Sequence, residues 1–401
     1  MRLRATRGRP NITITTHKMN IILFDPPECR GNLLPLTYTR PVSEILVGMQ
    51  TLGARWRDFL PGSYSWETES YLSVKYPCTP AADSLRIAAN VVADGPLAAA
   101  VTRLSGGEAL YAGDRLIAVR GSEAKRISYD GEVTAIDMLW DIFRLNDKVL
   151  RADFARIAPT QPRREVSPTV TVIGDPSQLF IHADAAAVEG CTINVARGPV
   201  YIGPRAEVME GACLRGPIYL GEGSILKMGA KIYGATSMGP GCKIGGEVNN
   251  AVLLGYSNKA HDGFLGNAVI GEWCNMGAGF VASNLKNDYT EIKLWNYPAH
   301  RFLRTGLQFC GVIMGDHTKA GINTMLNTAT VLGVGVNIHG AGFPRPFLAS
   351  FSEGSTAGFA DVSMTKFFQT ARIVMGRRGI ELTDADVDIL NHVRELAEQY
   401  R

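Results

Sequence analysis

The sequence lacks several features that would point to particular classes of protein. Its 401 residues contain no unbroken apolar run of about 18, the length that a membrane helix needs, and the N-terminus has no apolar signal-peptide segment. Its seven cysteines are widely spaced and form no C-x-x-C pair, which disfavours a disulfide framework or a zinc or redox site. We therefore expect free thiols, a cytoplasmic location, no membrane partner and no bound metal.

A strong net charge is also missing. The chain has 41 Lys and Arg against 38 Asp and Glu, a net charge of +3, so no broad field would attract nucleic acid. Small molecules are the expected partners. The one biased stretch, residues 1–18, carries six basic groups and no acid. We interpret it as a disordered or mis-called N-terminal extension, with Met19 as the natural start; a nucleic-acid-binding arm is the weaker alternative.

Residues 19–165 have the pattern of an α/β domain. The apolar run 21–25 precedes two prolines, as expected of a buried strand that enters a loop. Residues 134–150 place apolar side chains at helical spacing, and prolines at 159, 162 and 168 follow. The sequence thus predicts a compact domain that ends near this helix, followed by a linker.

A period of six residues begins after the linker. It is carried by eight consecutive aliphatic positions: Ile202, Val208, Leu214, Leu220, Leu226, Ile232, Met238 and Ile244. After a slip, the period resumes at Phe264 and again at Met314. This spacing is typical of a parallel β-helix, in which each short strand buries one aliphatic side chain and three strands complete a coil. We predict a β-helix of about nine coils over residues 166–345.

Two segments depart from the period. Residues 284–309 are rich in aromatic and basic side chains, and we expect them to leave the coil as a loop or hairpin that helps to build a pocket. Residues 346–401 are expected to form a C-terminal helical cap. Within it, Thr383 as N-cap and Asp386 at the third helical position predict a helix start.

Polar side chains interrupt the aliphatic rows in one region, residues 257–286. His261, Asn275 and Asn284 there fit the pattern H-x-x-F-L-G-x-A-x-I-G-x-x-x-N-x-G-A-G-x-x-x-x-N. This pattern resembles the acetyltransferase coils of the GlmU-like bifunctional sugar nucleotidyltransferase/acetyltransferase family, which makes UDP-N-acetylglucosamine. The resemblance implies a left-handed β-helix, acetyl-CoA as donor and a homotrimer. An atypical branch with a shortened N-terminal domain also matches the stretches 33–45 and 314–334.

The resemblance assigns roles to individual residues. His261 matches the general base, Asn275 a sugar-phosphate ligand, Ala278 a backbone group near the acetyl, and Asn284 a contact to acetyl-CoA and substrate. Phe264 and Lys286 match substrate-binding positions, although Phe264 stands where better-known members have tyrosine and has no hydroxyl for a substrate hydrogen bond. Without the motif, a single histidine in a turn is more often a solvated surface residue, and the two asparagines are compatible with ladder or turn positions.

The lysines and arginines of this half have open roles. Lys259, Lys286 and Lys293 either bind the sugar phosphate or face solvent. Arg301, Arg304 and Arg345 are candidates for the phosphates of coenzyme A, without support from spacing.

The N-terminal domain lacks the glycine-rich loop with which nucleotidyltransferases of this kind hold a triphosphate. In its place stand Pro26, Pro27 and a single glycine, Gly31. Arg30 and Arg40 are the candidate phosphate contacts, with a structural turn at Arg40 as the alternative. Mg²⁺ is implied only if this domain is active.

The expected function is N-acetylation of a hexosamine 1-phosphate, glucosamine 1-phosphate first, with nucleotidyl transfer to give a UDP-sugar implied by the resemblance. Three alternatives stay open. In the first, the chain is a nucleotidyltransferase whose β-helix only mediates oligomerisation. In the second, three of His261, His300, His317 and His339 bind zinc across a subunit boundary, although they lack the H-x₄-H spacing. The third is a non-catalytic sensor of a sugar nucleotide.

Overall fold

A computed structural model describes residues 19–123 and 125–401. The predicted N-terminal extension, residues 1–18, lies outside the described residues. Along the chain come an α/β domain, a three-sided parallel β-helix, a hairpin and two helices. The predicted fold class is therefore confirmed.

The α/β domain is built on a six-stranded sheet. In spatial order its strands are Ser63–Glu67, Asn20–Phe24, Leu85–Ala88, Arg115–Arg120, Glu108–Ala112 and Lys125–Ser128. The first three are parallel, and the fourth runs antiparallel to the third. Helices α1 (Pro27–Asn32), α2 (Leu52–Phe59) and α3 (Gly95–Thr102), with the small hairpin Leu46–Val47 and Gln50–Thr51, complete this part. Asp94 caps α3 by accepting a hydrogen bond from the Leu97 N–H.

The helical pattern at 134–150 forms two helices instead of one. They are α4 (Leu139–Arg144) and α5 (Asn146–Ile157), separated at Leu145. The carboxylate of Asp141 accepts hydrogen bonds from the N–H groups of Asp137 and Met138, which starts α4 later than the pattern suggested. Helix α5 extends beyond the predicted end and leads towards the β-helix.

Three parallel sheets form the faces of the β-helix. The nine strands of the first face are Leu179–Ile181, Val200–Ile202, Ile218–Leu220, Thr236–Met238, Val252–Gly255, Val269–Glu272, Ile313–Met314, Val331–Leu332 and Phe347–Leu348. The eight strands of the second face are Thr171–Ile173, Thr192–Asn194, Cys213–Arg215, Lys231–Tyr233, Glu247–Asn249, Gly263–Gly266, Phe280–Ala282 and Met325–Leu326. The nine strands of the third face are Glu207–Val208, Ile225–Leu226, Lys243–Ile244, Asn258–Lys259, Asn275–Met276, Lys319–Ala320, Asn337–Ile338, Ser352–Ser355 and Gly358–Asp361, the last antiparallel.

The aliphatic rows of the sequence line the interior. Ile202, Leu220 and Met238, each eighteen positions apart, pair in register and are fully buried. The slip in the period is a shortened coil, because Ile244 pairs with Lys259 only fifteen positions later. A lysine thereby enters a row of aliphatic side chains.

The first face is buried on both sides. Leu253, Ile270 and Leu332 point into the β-helix, while their neighbours Val252 and Val269 belong to the core shared with the α/β domain and the C-terminal helices. The α/β domain thus packs flat against this face, and both alternating positions of its strands are apolar for that reason.

The excursion over 284–309 forms a hairpin of strands Lys293–Asn296 and Arg301–Arg304. The hairpin packs on the α/β domain, with the Asn296 amide 2.9 Å from the Asn32 side-chain oxygen and the Tyr297 ring against Tyr38. It lines no part of the cavity beside His261. The excursion thus takes no part in this cavity: Tyr297 is buried against the α/β domain, while Tyr289, Phe302 and Phe309 are exposed.

The β-helix also extends past residue 345, where the sequence placed its end. Phe347–Leu348 pairs with Val331–Leu332, and Ser352–Ser355 pairs with Asn337–Ile338. Helices α6 (Met364–Gly376) and α7 (Asp384–Ala397) follow. The predicted start of α7 is confirmed: Thr383 accepts from the Asp386 N–H, and the Asp386 carboxylate accepts from the Thr383 N–H.

The remaining helical segments are single 3₁₀ turns. They are Leu36–Tyr38, Val42–Glu44, Ser70–Leu72, Ala158–Thr160, Pro176–Gln178 and Glu398–Tyr400. No helix in the described ranges is long and apolar enough to cross a membrane.

Candidate functional site

A polar ladder runs along the outside of the third face. Lys243, Asn258, Asn275, Lys319 and Asn337 follow one another in register, each on the next coil. Their chain neighbours Ile244, Met276 and Ala320 point inwards and are buried. Because side chains alternate along a strand, the inward aliphatic row leaves the polar side chains of these strands on the outer surface.

Four members of the ladder, Lys243, Asn258, Asn275 and Lys319, form the floor of a cavity of about 650 Å³, and Asn337 lies outside it. The cavity also contains His261, Ala278 and, as its cover, Val374, Arg377 and Arg378 at the end of α6. His261 and Asn275, predicted as base and substrate ligand, thus lie in one cavity and are both exposed to it. Its volume is in the range of small-molecule sites.

His261 lies in the turn that follows the strand Asn258–Lys259. The turn ends at Gly263, whose φ is +123° and where an added Cβ would stand 2.0 Å from the Phe280 carbonyl oxygen. Only glycine fits this position, and it brings the His261 turn close to the next coil. In the equivalent turn of the next coil, no acceptor in the described part of the chain takes the Ala278 N–H, whereas the N–H groups of Gly277 and Gly279 donate to the carbonyl oxygens of Ala320 and Asp262. The Ala278 N–H is therefore available to a ligand.

Lys259 lies inside the β-helix and does not face the cavity. Its side chain is 1 % exposed, and its Nζ donates to the carbonyl oxygens of His261, at 2.9 Å, and of Gly245, at 3.1 Å. Burial lowers the pKa of Lys259 to about 8. Neither of the predicted roles fits, since a buried ammonium can neither reach a sugar phosphate in the cavity nor face solvent. The shortened coil is the cause.

Phe264, Asn284 and Lys286 lie on or next to the second face, around the corner from this cavity. The Asn284 amide donates to Asn267 at 2.7 Å, and Lys286 Nζ donates to the Glu291 carbonyl oxygen at 3.0 Å. The predicted site residues therefore divide into two groups within one chain, with His261 at the corner between them.

Arg30 and Arg40, the candidate nucleotide contacts, are buried and engaged. Arg30 donates to the Thr37 carbonyl oxygen at 2.7 Å and to Tyr71 at 2.9 Å, and lies 3.6 Å from the carboxylate of Asp25. Burial raises the pKa of Asp25 to about 6. These partners leave the Arg30 guanidinium poorly placed for a triphosphate.

Arg40 joins the two halves of the molecule. It forms ion pairs with Asp316 and, at 3.1 Å, with Glu272, both on the β-helix. Asp316 also accepts from the Thr39 hydroxyl at 2.6 Å and from the Glu272 N–H at 2.8 Å. Arg40 thus forms an interdomain ion pair. This differs from both predicted roles, a phosphate contact and a structural turn.

Sequence reasoning missed the aromatic wall of the cavity. Tyr256 and Trp273 occupy successive corners of the coil with φ values of 53° and 62°, a conformation that bulky residues rarely adopt. Their rings stack at 4.3 Å, and His317, at the next corner, continues the stack. Burial lowers the pKa of His317 to about 3, which keeps its imidazole neutral. The sequence did contain a signal for this wall: Tyr256 and Trp273 stand at corner positions where a neighbouring coil has glycine, Gly241.

The histidines considered as zinc ligands have other surroundings. His317 packs against Phe367, and His300 stacks on Tyr400. Over residues 19–123 and 125–401, no three His, Cys, Asp or Glu side chains gather as metal ligands.

Comparison with known proteins gives a family match to the N-terminal domain and short matches to two bifunctional relatives. Residues 21–161 match the family described as sugar nucleotidyl transferase. A bifunctional sugar-1-phosphate nucleotidylyltransferase/acetyltransferase of Sulfurisphaera tokodaii is 32 % identical over 99 residues, 24 % of each chain. The bifunctional protein GlmU of Methanocaldococcus jannaschii is 33 % identical over 76 residues, 19 % of this chain and 18 % of that protein. The aligned part is thus a quarter or less of either relative.

Solved structures resemble the chain only loosely. The Arabidopsis UDP-N-acetylglucosamine acyltransferase covers 51 % of this chain and 77 % of its own at 11 % identity and a TM-score of 0.22. AntD, an N-acyltransferase from Bacillus cereus, covers 52 % and 93 % at 10 % identity and a TM-score of 0.20. These values support no assignment of function.

Proposed function

We propose that this GlmU-like chain, in which a sugar nucleotidyl transferase region precedes a β-helix, transfers an acetyl group from acetyl-CoA to the amine of a hexosamine 1-phosphate. Glucosamine 1-phosphate is the first substrate to test. The observation that carries the proposal is the meeting of His261, Asn275 and the unengaged Ala278 N–H in one cavity of about 650 Å³.

The chemistry divides among these groups. His261 accepts a proton from the amine, whose lone pair attacks the thioester carbonyl carbon. The Ala278 N–H stabilises the negative charge that develops on the carbonyl oxygen. As the new C–N bond forms and the C–S bond breaks, the thiolate of coenzyme A leaves and takes the proton from His261. Asn275 holds the sugar through its exposed amide.

The second group of predicted residues belongs to the same proposal. Phe264, Asn284 and Lys286 lie on the face that meets the third face at the His261 corner. In a homotrimer of such prisms, a neighbouring prism packed at this corner would enclose substrate between chains. We keep Asn284 as an acetyl-CoA contact and the homotrimer as parts of the proposal.

Nucleotidyl transfer is a second candidate activity, favoured by the family match over residues 21–161. The residues present do not fit a magnesium ion at the carboxyl end of the first strand. Asp25 there is buried, and its two oxygens accept from the Val42 N–H and the Thr68 hydroxyl. With Arg30 and Arg40 paired as well, the β-helix is the better candidate for catalysis.

The experiment is release of coenzyme A from acetyl-CoA and glucosamine 1-phosphate, compared between the wild type and His261→Ala. Loss of a general base lowers turnover by about 10²–10⁴-fold. His339→Ala is the matched control, since His339 is an exposed histidine after a third-face strand and lies outside the cavity. If both variants kept full activity, or if no amino sugar supported release, the proposal would fail. Pyrophosphate release from UTP in the same samples tests the second activity.

A further inference from the structure

The cavity of His261 is covered by the end of helix α6 and the two residues that follow it in the same chain. Helix α6 ends at Gly376, and the next two residues, Arg377 and Arg378, reach the cavity. Arg378 donates to the Asn258 side-chain oxygen at 2.9 Å, so the cover is bonded to the polar ladder on the floor. Arg377 is exposed. A chain ending at the β-helix would lack both guanidinium groups.

The charge at this end of the cavity is positive and unbalanced. Lys243 on the floor faces Arg377 and Arg378 in the cover, and no Asp or Glu is among the lining residues. In the described part of the chain, none of the three cations forms an ion pair, although Arg86, Arg115 and Arg120 all pair with carboxylates elsewhere.

The like charges affect one another. The pKa of Lys243 is lowered, first by burial and then by the positive charges of Arg378, Lys227 and Arg377. The nearest acid on the same face, Glu207, lies two strands away along the ladder and opposes this only weakly. Three cations held together without a counter-charge cost free energy, which an anion in the cavity would offset.

We propose that Lys243, Arg377 and Arg378 bind a phosphoryl group of a substrate whose reacting end lies at His261. Two planar guanidinium groups and an ammonium are the side chains that suit phosphate oxygens. This inference rests on the proposed function for the identity of the ligand. The two candidate ligands have a phosphate ester in common. The ester is either the 1-phosphate of the sugar or a phosphate of coenzyme A.

The test uses the full chain with Arg377→Gln, Arg378→Gln and the double variant. Loss of a hydrogen bond to a charged group corresponds to about 10- to 100-fold in affinity. We expect the KM of one phosphorylated substrate to rise by that factor. Arg372→Gln is the matched control, because Arg372 is an exposed arginine on α6 outside the cavity. It should leave both KM values unchanged.

Phosphate-free analogues identify the source. If the sugar phosphate binds here, the variants weaken glucosamine 1-phosphate and leave glucosamine unaffected. If coenzyme A binds here, they weaken acetyl-CoA and leave acetyl-pantetheine unaffected. Unchanged KM values for all four substrates, or an equal loss with and without phosphate, would overturn the inference.

Direct binding separates this inference from the proposed reaction. In His261→Ala, calorimetric titration with coenzyme A and with glucosamine 1-phosphate measures affinity without turnover. Binding that weakens in the double arginine variant supports the phosphate site even if no acetyl transfer occurs. Binding of both ligands that is unaffected by the arginine substitutions contradicts it even if acetyl transfer is observed.

Discussion

At the scale of single residues, the clearest departure from the sequence pattern is Lys259. The inward residues of the neighbouring strands in the same row are apolar: Ile244 on the preceding coil and Met276 on the following coil. Its ammonium is satisfied only by two carbonyl oxygens, one of them that of His261. The charge of Asp262 only partly offsets the burial of this cation, so the lysine lowers stability while it holds the turn of the proposed base.

The first prediction at this scale concerns pH. The pKa of Lys259 falls from its ordinary 10.5 to about 8 on folding because burial disfavours the charge. Between pH 8 and 10.5 the unfolded chain therefore binds more protons, and stability rises with pH across this window. Below pH 8 the folded protein carries the full cost. Lys259→Met should accordingly be more stable than the wild type at pH 7, and this advantage should shrink as the pH rises to 10.

The measurement is the midpoint of urea unfolding at pH 7, 8, 9 and 10. Lys231→Met is the control, an exposed lysine on a strand of the neighbouring face. A pH-independent difference between Lys259→Met and the wild type would show that charge burial is not the cause. We also expect Lys259→Met to lose turnover, since its His261 carbonyl contact is gone.

At the scale of secondary-structure elements, helix α5 is the connection between the α/β domain and the coils. Its first residue, Asn146, is fully buried and accepts from the Gly48 N–H at 2.7 Å. The same amide donates to the Ala235 carbonyl oxygen at 2.8 Å and to Ser237 at 3.0 Å, both on the β-helix side. One side chain thus satisfies backbone groups of both parts.

Asn146→Ala leaves these buried groups without partners. Each unsatisfied buried donor or acceptor costs about 1–3 kcal/mol, so the expected loss of stability is at least that of one such group. The free energy of unfolding in urea measures it. Asn391→Ala, at an exposed position of α7, should change it by less than about 0.5 kcal/mol. An equal effect of the two substitutions would mean that the Asn146 hydrogen bonds contribute nothing.

At the scale of the whole molecule, a polar junction fixes the α/β domain to the β-helix. Arg40 reaches across to Asp316 and Glu272, while Thr39 donates to the same Asp316. Around it, a shared apolar core joins the sheet, the first face and the two C-terminal helices. The arginine predicted to bind nucleotide is used to hold the two halves in one arrangement.

The substitution Asp316→Asn measures how much this junction contributes to stability in addition to the apolar core. Removing one partner of a buried ion pair typically costs 3–5 kcal/mol, roughly the loss expected here. Glu67→Gln breaks the exposed pair with Arg86 and should cost no more than about 1 kcal/mol. Unfolding in urea, followed through the intrinsic tryptophan fluorescence, compares the two. A loss for Asp316→Asn no larger than for Glu67→Gln would contradict a structural role of the junction.

The sequence by itself determined the β-helix, because each coil buries one aliphatic side chain per strand and this requirement repeats every six residues in the chain. It also determined the start of α7, since a capping box involves only residues within four positions, and it pointed to His261 and Asn275 through a local pattern. Only the tertiary structure decided the position of Lys259, which depends on a coil shortened to fifteen residues. It alone placed Arg377 over Lys243, and Arg40 on Asp316, because such contacts join segments more than a hundred residues apart.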